Sequence, residues 1–411
     1  MNPLLRLLPR PGRERFARSA VEALVASGVP RDAISYDPEH YEIEVEDNRW
    51  YLDGAYRQAC LAWPWQRRGI VRRLAAVHLQ SRHAEEPSLE AVRDRLLPGV
   101  RHAWGLGFVA LKARSEGREP LDVPGLPLGP WLRASVFVDH EQSTALVTAP
   151  DLERWGLGFE QALALASENL KARSTAPLTA LAEGLYHSPW QDFYDPSRLL
   201  LPELLAPLDL RGDPVVALPS PHHLLVTGAD DPAGIAAAIT FGLEVQEEEA
   251  KTISALPLVR RGGEWVGLEL PRGHPAEPLL RKARVVELSG VYAEQKALLE
   301  QLHDRDGIDV HVAEYSGSRN ETTDEHTSYC VWSRGVPSLL PATEEVVFFD
   351  PSRPEPQGLR ARVDWDIAQF HCGGMMRRTD DALARFRVDA FPSDETIAAM
   401  ARSQAQRAGA G

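Results

Sequence analysis

Thiol and imidazole groups lie close together in the last part of the chain. His371 and Cys372 are adjacent in a short polar turn that ends in two glycines, and such a turn could expose a thiol. A catalytic cysteine needs a nearby base to form its thiolate. Because neighbouring side chains seldom point at each other, that base would have to be His326 or His311 from another strand. Cys372, His371 and His326 are therefore the candidate catalytic residues, although their spacing favours a turn without chemistry.

The same region contains residue types that bind zinc. His326, Cys330, His371 and Cys372 could supply the nitrogen and sulfur ligands of a tetrahedral site. No C-x-x-C or H-x-x-x-H spacing supports such a site, so these four residues are metal candidates by type alone. The glycines of the chain also lack the spacing of a phosphate-binding loop, and no G-x-S-x-G nucleophile elbow is present. The sequence predicts neither a metal nor a cofactor.

A second group of polar residues surrounds a hairpin predicted in the middle of the chain. His222 and His223 follow Ser220 at its tip. Adjacent residues of a strand point to opposite faces, so both histidines cannot easily bind one metal. One of them could meet Asp195 or Arg198 in a polar binding site. The alternative is a turn with one histidine exposed and one packed, in which Asp195 caps a short helix with proline at its first position.

Asn169 and Trp190 complete the candidate binding residues. Asn169 lies on an otherwise apolar helix, and a buried amide must find hydrogen-bond partners. We interpret it as structural support first and as a ligand contact second. Trp190 stands beside Asp192 and Tyr194, and it is the one tryptophan that we assign to the rim of a site. The other tryptophans could line an interaction surface, but such residues are more often part of a core.

Residues 208–270 must position these groups. Two unbroken apolar runs, 215–218 and 224–227, indicate strands that are buried on both faces or covered by a helix. A helix begins after Asp231, whose carboxylate is a suitable N-cap, and two glycines at 262–263 indicate a tight hairpin. The sequence therefore predicts two buried strands, a capped helix and a closing hairpin as the centre of the main domain.

The second half of that helix is acidic. Glu244, Glu247, Glu248 and Glu249 stand where negative charge opposes the helix dipole, so they do not serve helix stability. They predict either a solvated face or an acidic contact surface.

The order of patterns along the chain predicts an α+β protein. It would have mixed and antiparallel sheets with packed helices, and a smaller C-terminal α/β unit. Residues 105–128 are rich in glycine and proline and predict a long connection. Residues 271–278 predict a linker, after which the pattern restarts with a strand at 284–288 and a helix at 291–302. The predicted domains are residues 1–100, 101–275 and 280–411.

Composition limits the function. The net charge of −14 over 411 residues argues against a general nucleic-acid binder and fits a protein that meets a basic partner. The three cysteines are odd in number and far apart, which indicates a reducing cytoplasm rather than a disulfide framework. No apolar run approaches the ~20 residues that cross a bilayer. The arginine-containing start of the chain leaves a transit peptide as the alternative to a cytoplasmic location.

Residues 88–270 resemble the YtpQ-like family of bacterial proteins, which share a domain of unknown function. The resemblance rests on the order of short motifs, namely Asp151 and Trp155 after a strand pair, Ala166 to Leu170, Tyr194 to Arg198, Val216 to Pro219, Leu224 to Val226, and Ser254 to Leu258. The family has no established reaction to transfer. The association of some members with toxin–immunity neighbourhoods implies a cytoplasmic role in protein binding.

These observations together predict a cytoplasmic bacterial protein that acts by binding another protein, a basic one, in a regulatory or immunity-type role. No nucleic acid and no membrane are predicted as partners. The alternative is a hydrolase-like or metal-dependent enzyme whose site lies in the C-terminal unit around His326, Cys330, His371 and Cys372. Convergence of those four side chains would favour the enzyme.

Overall fold

The fold is α+β, as the sequence predicts. The computed structural model describes residues 10–38, 41–45, 48–82, 87–140, 144–381 and 383–410. Residues 1–9, on which the transit-peptide alternative depends, lie outside the described residues. Within the described stretches, no helix is both long enough and apolar enough to cross a bilayer.

The N-terminal region has a small core of its own. Its elements are α1 (Arg13–Ala26), β1 (Ile34–Asp37), β2 (Glu42–Val45), β3 (Asn48–Tyr51), α2 (Asp53–Cys60) and α3 (Arg67–Arg82). The three strands form an antiparallel sheet in the order β1-β2-β3. Phe16, Ala20 and Leu24 recur at helical spacing on α1 and share a buried cluster with Ile43 and Ile70. One apolar face of α1 is thus covered by the sheet and by α3.

The central region contains two antiparallel sheets. Its elements are α4 (Leu89–Val92), β4 (Leu96–His102), α5 (Ala103–Ser115), β5 (Leu126–Leu128), β6 (Leu132–Asp139), β7 (Thr144–Leu146), α6 (Ala149–Trp155), α7 (Phe159–Ala172), β8 (Thr179–Ala182), β9 (Leu185–His187), α8 (Pro202–Leu205), β10 (Pro214–Leu218), β11 (Leu225–Gly228), α9 (Pro232–Glu248), β12 (Ser254–Arg261) and β13 (Glu264–Gly267). The first sheet has the order β4-β6-β5, with β7 also paired to β6, and the second has the order β13-β12-β10-β11-β9-β8.

The stretch 208–270 has the predicted form. β10 and β11 are antiparallel and buried along most of their length. Asp231 caps α9, because its Oδ1 accepts the backbone N–H of Gly234 at 3.0 Å. The turn between β12 and β13 places Gly262 and Gly263 at φ of 59° and 90°, which is the backbone that a tight hairpin turn requires.

The C-terminal region carries two mixed sheets. Its elements are α10 (Glu277–Asp306), β14 (His311–Val312), β15 (Ser316–Arg319), β16 (His326–Ser333), β17 (Ser338–Pro341), β18 (Glu345–Phe349), β19 (Leu359–Asp364), α11 (Trp365–Cys372), β20 (Arg377–Arg378), β21 (Arg385–Val388) and α12 (Asp394–Ala410). The sheet orders are β15-β16-β18-β19 and β14-β17-β21-β20, with parallel pairing in β16–β18 and β14–β17.

Two helices, α5 and α10, occupy residues for which the sequence predicts connections or shorter elements. α5 occupies residues 103–115, where a connection was expected, because Trp104, Phe108 and Leu111 recur at helical spacing and are buried. α10 runs for 30 residues through the predicted linker, strand and helix. Its buried Leu280, Tyr292 and Leu299 belong to the same apolar cluster as the strands of the central sheet. The boundary between 275 and 280 stays a prediction, and the core continues across it.

Candidate functional site

The two buried cysteines of the C-terminal region have unreactive surroundings. Cys330 on β16 is fully buried, and its sulfur accepts the hydroxyl of Thr343 at 3.4 Å. Burial raises the pKa of the Cys330 thiol to about 12. Cys372 ends α11 with its thiol directed at Met400, and burial raises its pKa to about 11. Both thiols therefore stay protonated at neutral pH, which argues against either as the nucleophile of the enzyme alternative.

The two histidines of the predicted enzyme site each contact a different residue. His371 Nε2 lies 3.1 Å from the hydroxyl of Ser403, and His326 Nδ1 lies 3.1 Å from the backbone oxygen of Asp324. In the described stretches, no three histidine, cysteine or acidic side chains are placed to hold a metal ion. The convergence that would favour an enzyme at His326, Cys330, His371 and Cys372 is not found there, because each of these side chains contacts a different partner.

Asn169 connects α7 to the start of β4. Its amide donates to the backbone oxygen of Arg93 at 2.8 Å and to that of Leu96 at 2.9 Å. These two acceptors use both of its N–H donors. The contacts support the interpretation of Asn169 as structural.

Arg198 is the centre of a closed polar network. Its side chain is fully buried and forms two hydrogen bonds with Asp192, at 2.8 and 2.7 Å, while Nε donates to Ser174 at 2.8 Å. Trp190 lies flat against the guanidinium at 4.0 Å. Asp195 accepts the backbone N–H groups of Gln191 and Asp192. Trp190, Asp195 and Arg198 thus fix the loop before a short 3₁₀ helix (Asp195–Leu200). The assignment of Trp190 to the rim of a site stays a prediction.

The two adjacent histidines occupy a turn and have different partners. His222 packs edge-on against Phe193, with 4.2 Å between ring centroids. His223 Nε2 donates to Glu249 Oε1 at 2.9 Å, and its Nδ1 lies 2.8 Å from Nε2 of His187. In the part of the chain that the structure describes, neither histidine hydrogen-bonds to Asp195 or Arg198. The predicted polar site that joined these four residues is replaced by a chain of Glu249, His223 and His187.

This chain favours an uncharged His187. The pKa of His187 is lowered by burial and by the neighbouring His223, and Asp195 offsets part of that shift. The pKa of Glu249 is lowered as well, because hydrogen bonds from His223 and Ser220 outweigh the effect of its burial. Glu249 is one of the four acidic residues at the end of α9. Its place there is therefore accounted for by the contact with His223 rather than by an acidic contact surface. His187 and Glu249 are brought together by strand pairing and by the end of α9, so no local pattern marks them.

A large cleft, which the sequence did not indicate, lies between α5 and α10. We call it the central cleft. Its volume is about 1010 Å³, and α2 and the segment after α9 also contribute to its walls. Val109, Leu121 and Val286 line it and remain exposed, at 54, 67 and 47% of their surface. Exposed apolar side chains that share one concave surface indicate a binding site more strongly than the same residues scattered singly.

Two carboxylates on one face of α10 reach the central cleft. Glu287 is buried and accepts four hydrogen bonds, from Ser254, the N–H of Ala255, Gln246 and His102. It is therefore a saturated structural acceptor that joins α10 to the start of β12. Glu294 lies two turns further along the same face and has no hydrogen bond or ion pair within the described residues. Desolvation raises the pKa of Glu294, and the charge of His102 opposes that shift.

Most other charged residues of the central cleft already have partners, but exposed Glu119 has no hydrogen bond or ion pair within the described residues. Arg57 donates to the backbone oxygen of Gln246 at 3.2 Å, and Lys112 lies 3.8 Å from Glu42. Gly290 also faces the cleft, and a side chain built there would meet nothing within 4 Å. Glu294, Glu119 and the apolar residues of the lining are thus the part of the cleft that is open to a ligand.

Comparisons with protein-family models, with curated proteins and with solved structures found no match. The resemblance of residues 88–270 to YtpQ-like proteins stays a prediction.

Proposed function

We propose that this chain is a binding protein whose central cleft receives an apolar segment of a partner protein that carries a basic side chain. The observation that supports this most directly is that exposed Val109, Leu121 and Val286 line one cleft with Glu294, whose carboxylate has no partner among the described residues. The cytoplasmic location and the regulatory or immunity-type role remain part of the same proposal, and they rest on composition and on the family resemblance.

Burial of the three apolar side chains supplies affinity. Each square ångström of apolar surface removed from water contributes ~25 cal/mol, so three half-exposed side chains can contribute several kcal/mol before the costs of association. The cleft volume of about 1010 Å³ is large enough for several side chains of a partner. A groove between two helices suits an amphipathic helix whose anchors recur every three to four residues.

Glu294 supplies selectivity. Glu294 is exposed, and partial desolvation by the cleft raises the pKa of its carboxylate. A lysine or arginine side chain from a partner would stabilise the carboxylate, whereas an acidic side chain would be repelled. The net charge of −14 acts in the same direction, because it attracts basic partners over a longer range.

The test uses peptides selected for binding to the full-length protein. A displayed library of peptides, each about 12 residues long, is selected on wild-type protein with the Val286→Asp variant present as competitor. We expect enrichment of peptides with apolar residues at helical spacing and one or two basic residues. Fluorescence anisotropy then measures the affinity of the selected peptides for each variant.

Three substitutions and two controls separate the apolar contribution from the charge. Val286→Asp should weaken binding about tenfold or more, and Glu294→Gln should weaken only the basic peptides, severalfold. Glu294→Lys should reverse the preference between a basic peptide and its acidic counterpart. Val25→Asp and Glu244→Gln change an exposed valine and an exposed carboxylate that has no partner within the described ranges. Both lie outside the cleft, so these substitutions should leave affinity unchanged. Equal affinity in all five variants, or enrichment of acidic peptides, would overturn the proposal.

A further inference from the structure

Charge is distributed unevenly along the chain. Residues 1–84 contain 13 arginines and 10 acidic residues, which gives a net charge of +3. Because the whole chain carries −14, the remaining residues carry −17. The summed charge that argues against nucleic acid thus describes the central and C-terminal regions, and the N-terminal region must be considered separately.

A second cleft, of about 720 Å³, lies between α1 and α3 in this region. We call it the arginine cleft. Four exposed arginines line it, and their guanidinium groups have no hydrogen bond or ion pair to any described residue. They are Arg10, Arg15, Arg68 and Arg72. Arg68 and Arg72 are one turn apart on α3 and so share a face. Glu22 is the one acidic residue in the lining. The cleft therefore concentrates positive charge that forms no ion pair with any described residue.

Two tryptophans stack beside the arginine cleft. The rings of Trp63 and Trp65 are nearly parallel, with 10° between their planes and 4.9 Å between their centroids. Trp65 is 70% exposed, whereas Trp104, Trp131 and Trp332 are buried. Pro64, between the two stacked residues, lines the cleft itself. A large flat aromatic surface is thus held open to solvent next to unpaired guanidinium groups.

We propose that the arginine cleft and Trp65 bind single-stranded nucleic acid. Guanidinium groups bind phosphate oxygens through paired N–H donors, and exposed indole rings stack on unpaired bases. Binding would be largely independent of sequence, since every base presents a flat face. An anionic lipid surface also attracts arginine and tryptophan, but a bilayer is flat and these arginines line both walls of a concavity. This site is separate from the central cleft and does not depend on the function proposed for it.

The experiment measures the anisotropy of labelled single-stranded oligonucleotides with the full-length protein across a salt series. Wild-type protein should bind them at about 50 mM salt and lose affinity steeply as salt rises. Arg68→Gln together with Arg72→Gln should weaken binding and make the slope of log K against log salt shallower by about 1.4, given ~0.7 per phosphate contact. Trp65→Ala should weaken binding about tenfold and leave that slope unchanged.

Matched controls make the outcome decisive. Arg31→Gln removes one exposed arginine of the same region outside the cleft and should leave affinity within about twofold. Duplex of the same length, mononucleotide and phosphatidylserine vesicles are the competing ligands. The proposal is overturned if the single strand does not bind, if any competing ligand binds as tightly, or if the Arg68/Arg72 and Trp65 variants bind like Arg31→Gln. Circular dichroism confirms that each variant is folded before its affinity is compared.

Discussion

Arg198 and Arg385 are both fully buried, but the protein accommodates their charges in different ways. Arg198 faces a carboxylate, Asp192, and its other contacts are Trp190 in the same loop and Ser174, which lies 24 residues earlier. Arg385 has no carboxylate within ion-pair distance among the described residues. It donates instead to Gln295 and to the backbone oxygens of Tyr292, Ala313 and Leu339.

The difference shows two ways in which a buried cation is stabilised. A counter-ion gives a strong local bond, whereas several carbonyl dipoles spread the stabilisation over distant segments. Burial lowers the pKa of Arg385 to about 10, so the dipoles offset its desolvation only in part, and it still carries its charge at neutral pH. Because its acceptors lie on α10, near β14 and on β17, Arg385 joins three elements, while Arg198 fixes one loop and joins it to the end of α7.

Replacing Arg385 should have the largest effect on stability. Arg385→Met removes the buried donor from the side-chain oxygen of Gln295 and from the backbone oxygen of Ala313. We therefore expect a loss of about 3–5 kcal/mol in the free energy of unfolding. Urea unfolding followed by tryptophan fluorescence measures this value. Arg377→Met, at an exposed position on the neighbouring strand, is the control and should change stability by less than about 0.5 kcal/mol.

Replacing Arg198 should have a smaller effect. The side chain of Asp192 is 35% exposed and can regain water, and Ser174 keeps its own bond to the backbone oxygen of Leu170. We therefore expect Arg198→Met to cost about 2–3 kcal/mol in the same urea experiment. A cost equal to or above that of Arg385→Met would show that the counter-ion matters more than the shared carbonyl groups, and would contradict the comparison.

Acid should distinguish the two arginines further. The pKa of Asp192 is lowered, because the hydrogen bond and charge of Arg198 outweigh burial, which acts in the opposite direction. A carboxyl group whose pKa is lower in the folded state contributes stability that is complete above about pH 4 and is lost as pH falls through the folded pKa. Asp192→Asn should therefore cost about 1 kcal/mol at pH 7, and this cost should shrink as pH falls below about 4. Thermal unfolding of both proteins across this pH range tests the expectation, and a constant difference would contradict it.

His187 represents a third solution, which is to bury the group in its uncharged form. Its pKa is lowered by burial and by His223, so the unfolded chain takes up the proton first as pH falls below about 6.5. Stability contributed by neutral His187 is complete above that pH and declines below it. His187→Gln should flatten the change in melting temperature between pH 7 and pH 5, with an effect below about 1 kcal/mol. An unchanged pH profile would show that His187 is not the titrating group.

Local patterns in the sequence were enough to predict part of this fold. The buried strands β10 and β11, the Asp231 cap and the turn at residues 262–263 each depend on residues close together in the chain. β4 is harder to predict, because Pro98 and Gly99 usually argue against a strand interior. Gly99 is required there, since a side chain would come within 2.3 Å of the ring of Phe137 on β6. Such a requirement is visible only when the neighbouring strand is known.

The candidate site was less predictable for the same reason. The central cleft combines residues from α2, α5, α9 and α10, which lie in four separate parts of the chain. His222 and His223 were correctly placed in a turn, but their partners Phe193, His187 and Glu249 come from other segments. An arginine such as Arg385 is expected at the surface from its type alone, and only the convergence of four acceptors makes its burial possible.

The length of α10 determines how this protein can be cut into fragments. Its 30 residues span ~45 Å and supply Glu287, whose carboxylate accepts the backbone N–H of Ala255 at the start of β12. A fragment that stops before residue 277 would lose this acceptor and one wall of the central cleft. Gly307 ends the helix in the left-handed conformation, at φ of 65°. A chain divided just after Gly307 keeps α10 with the central region, and that position is the better choice for producing the two parts separately and recombining them.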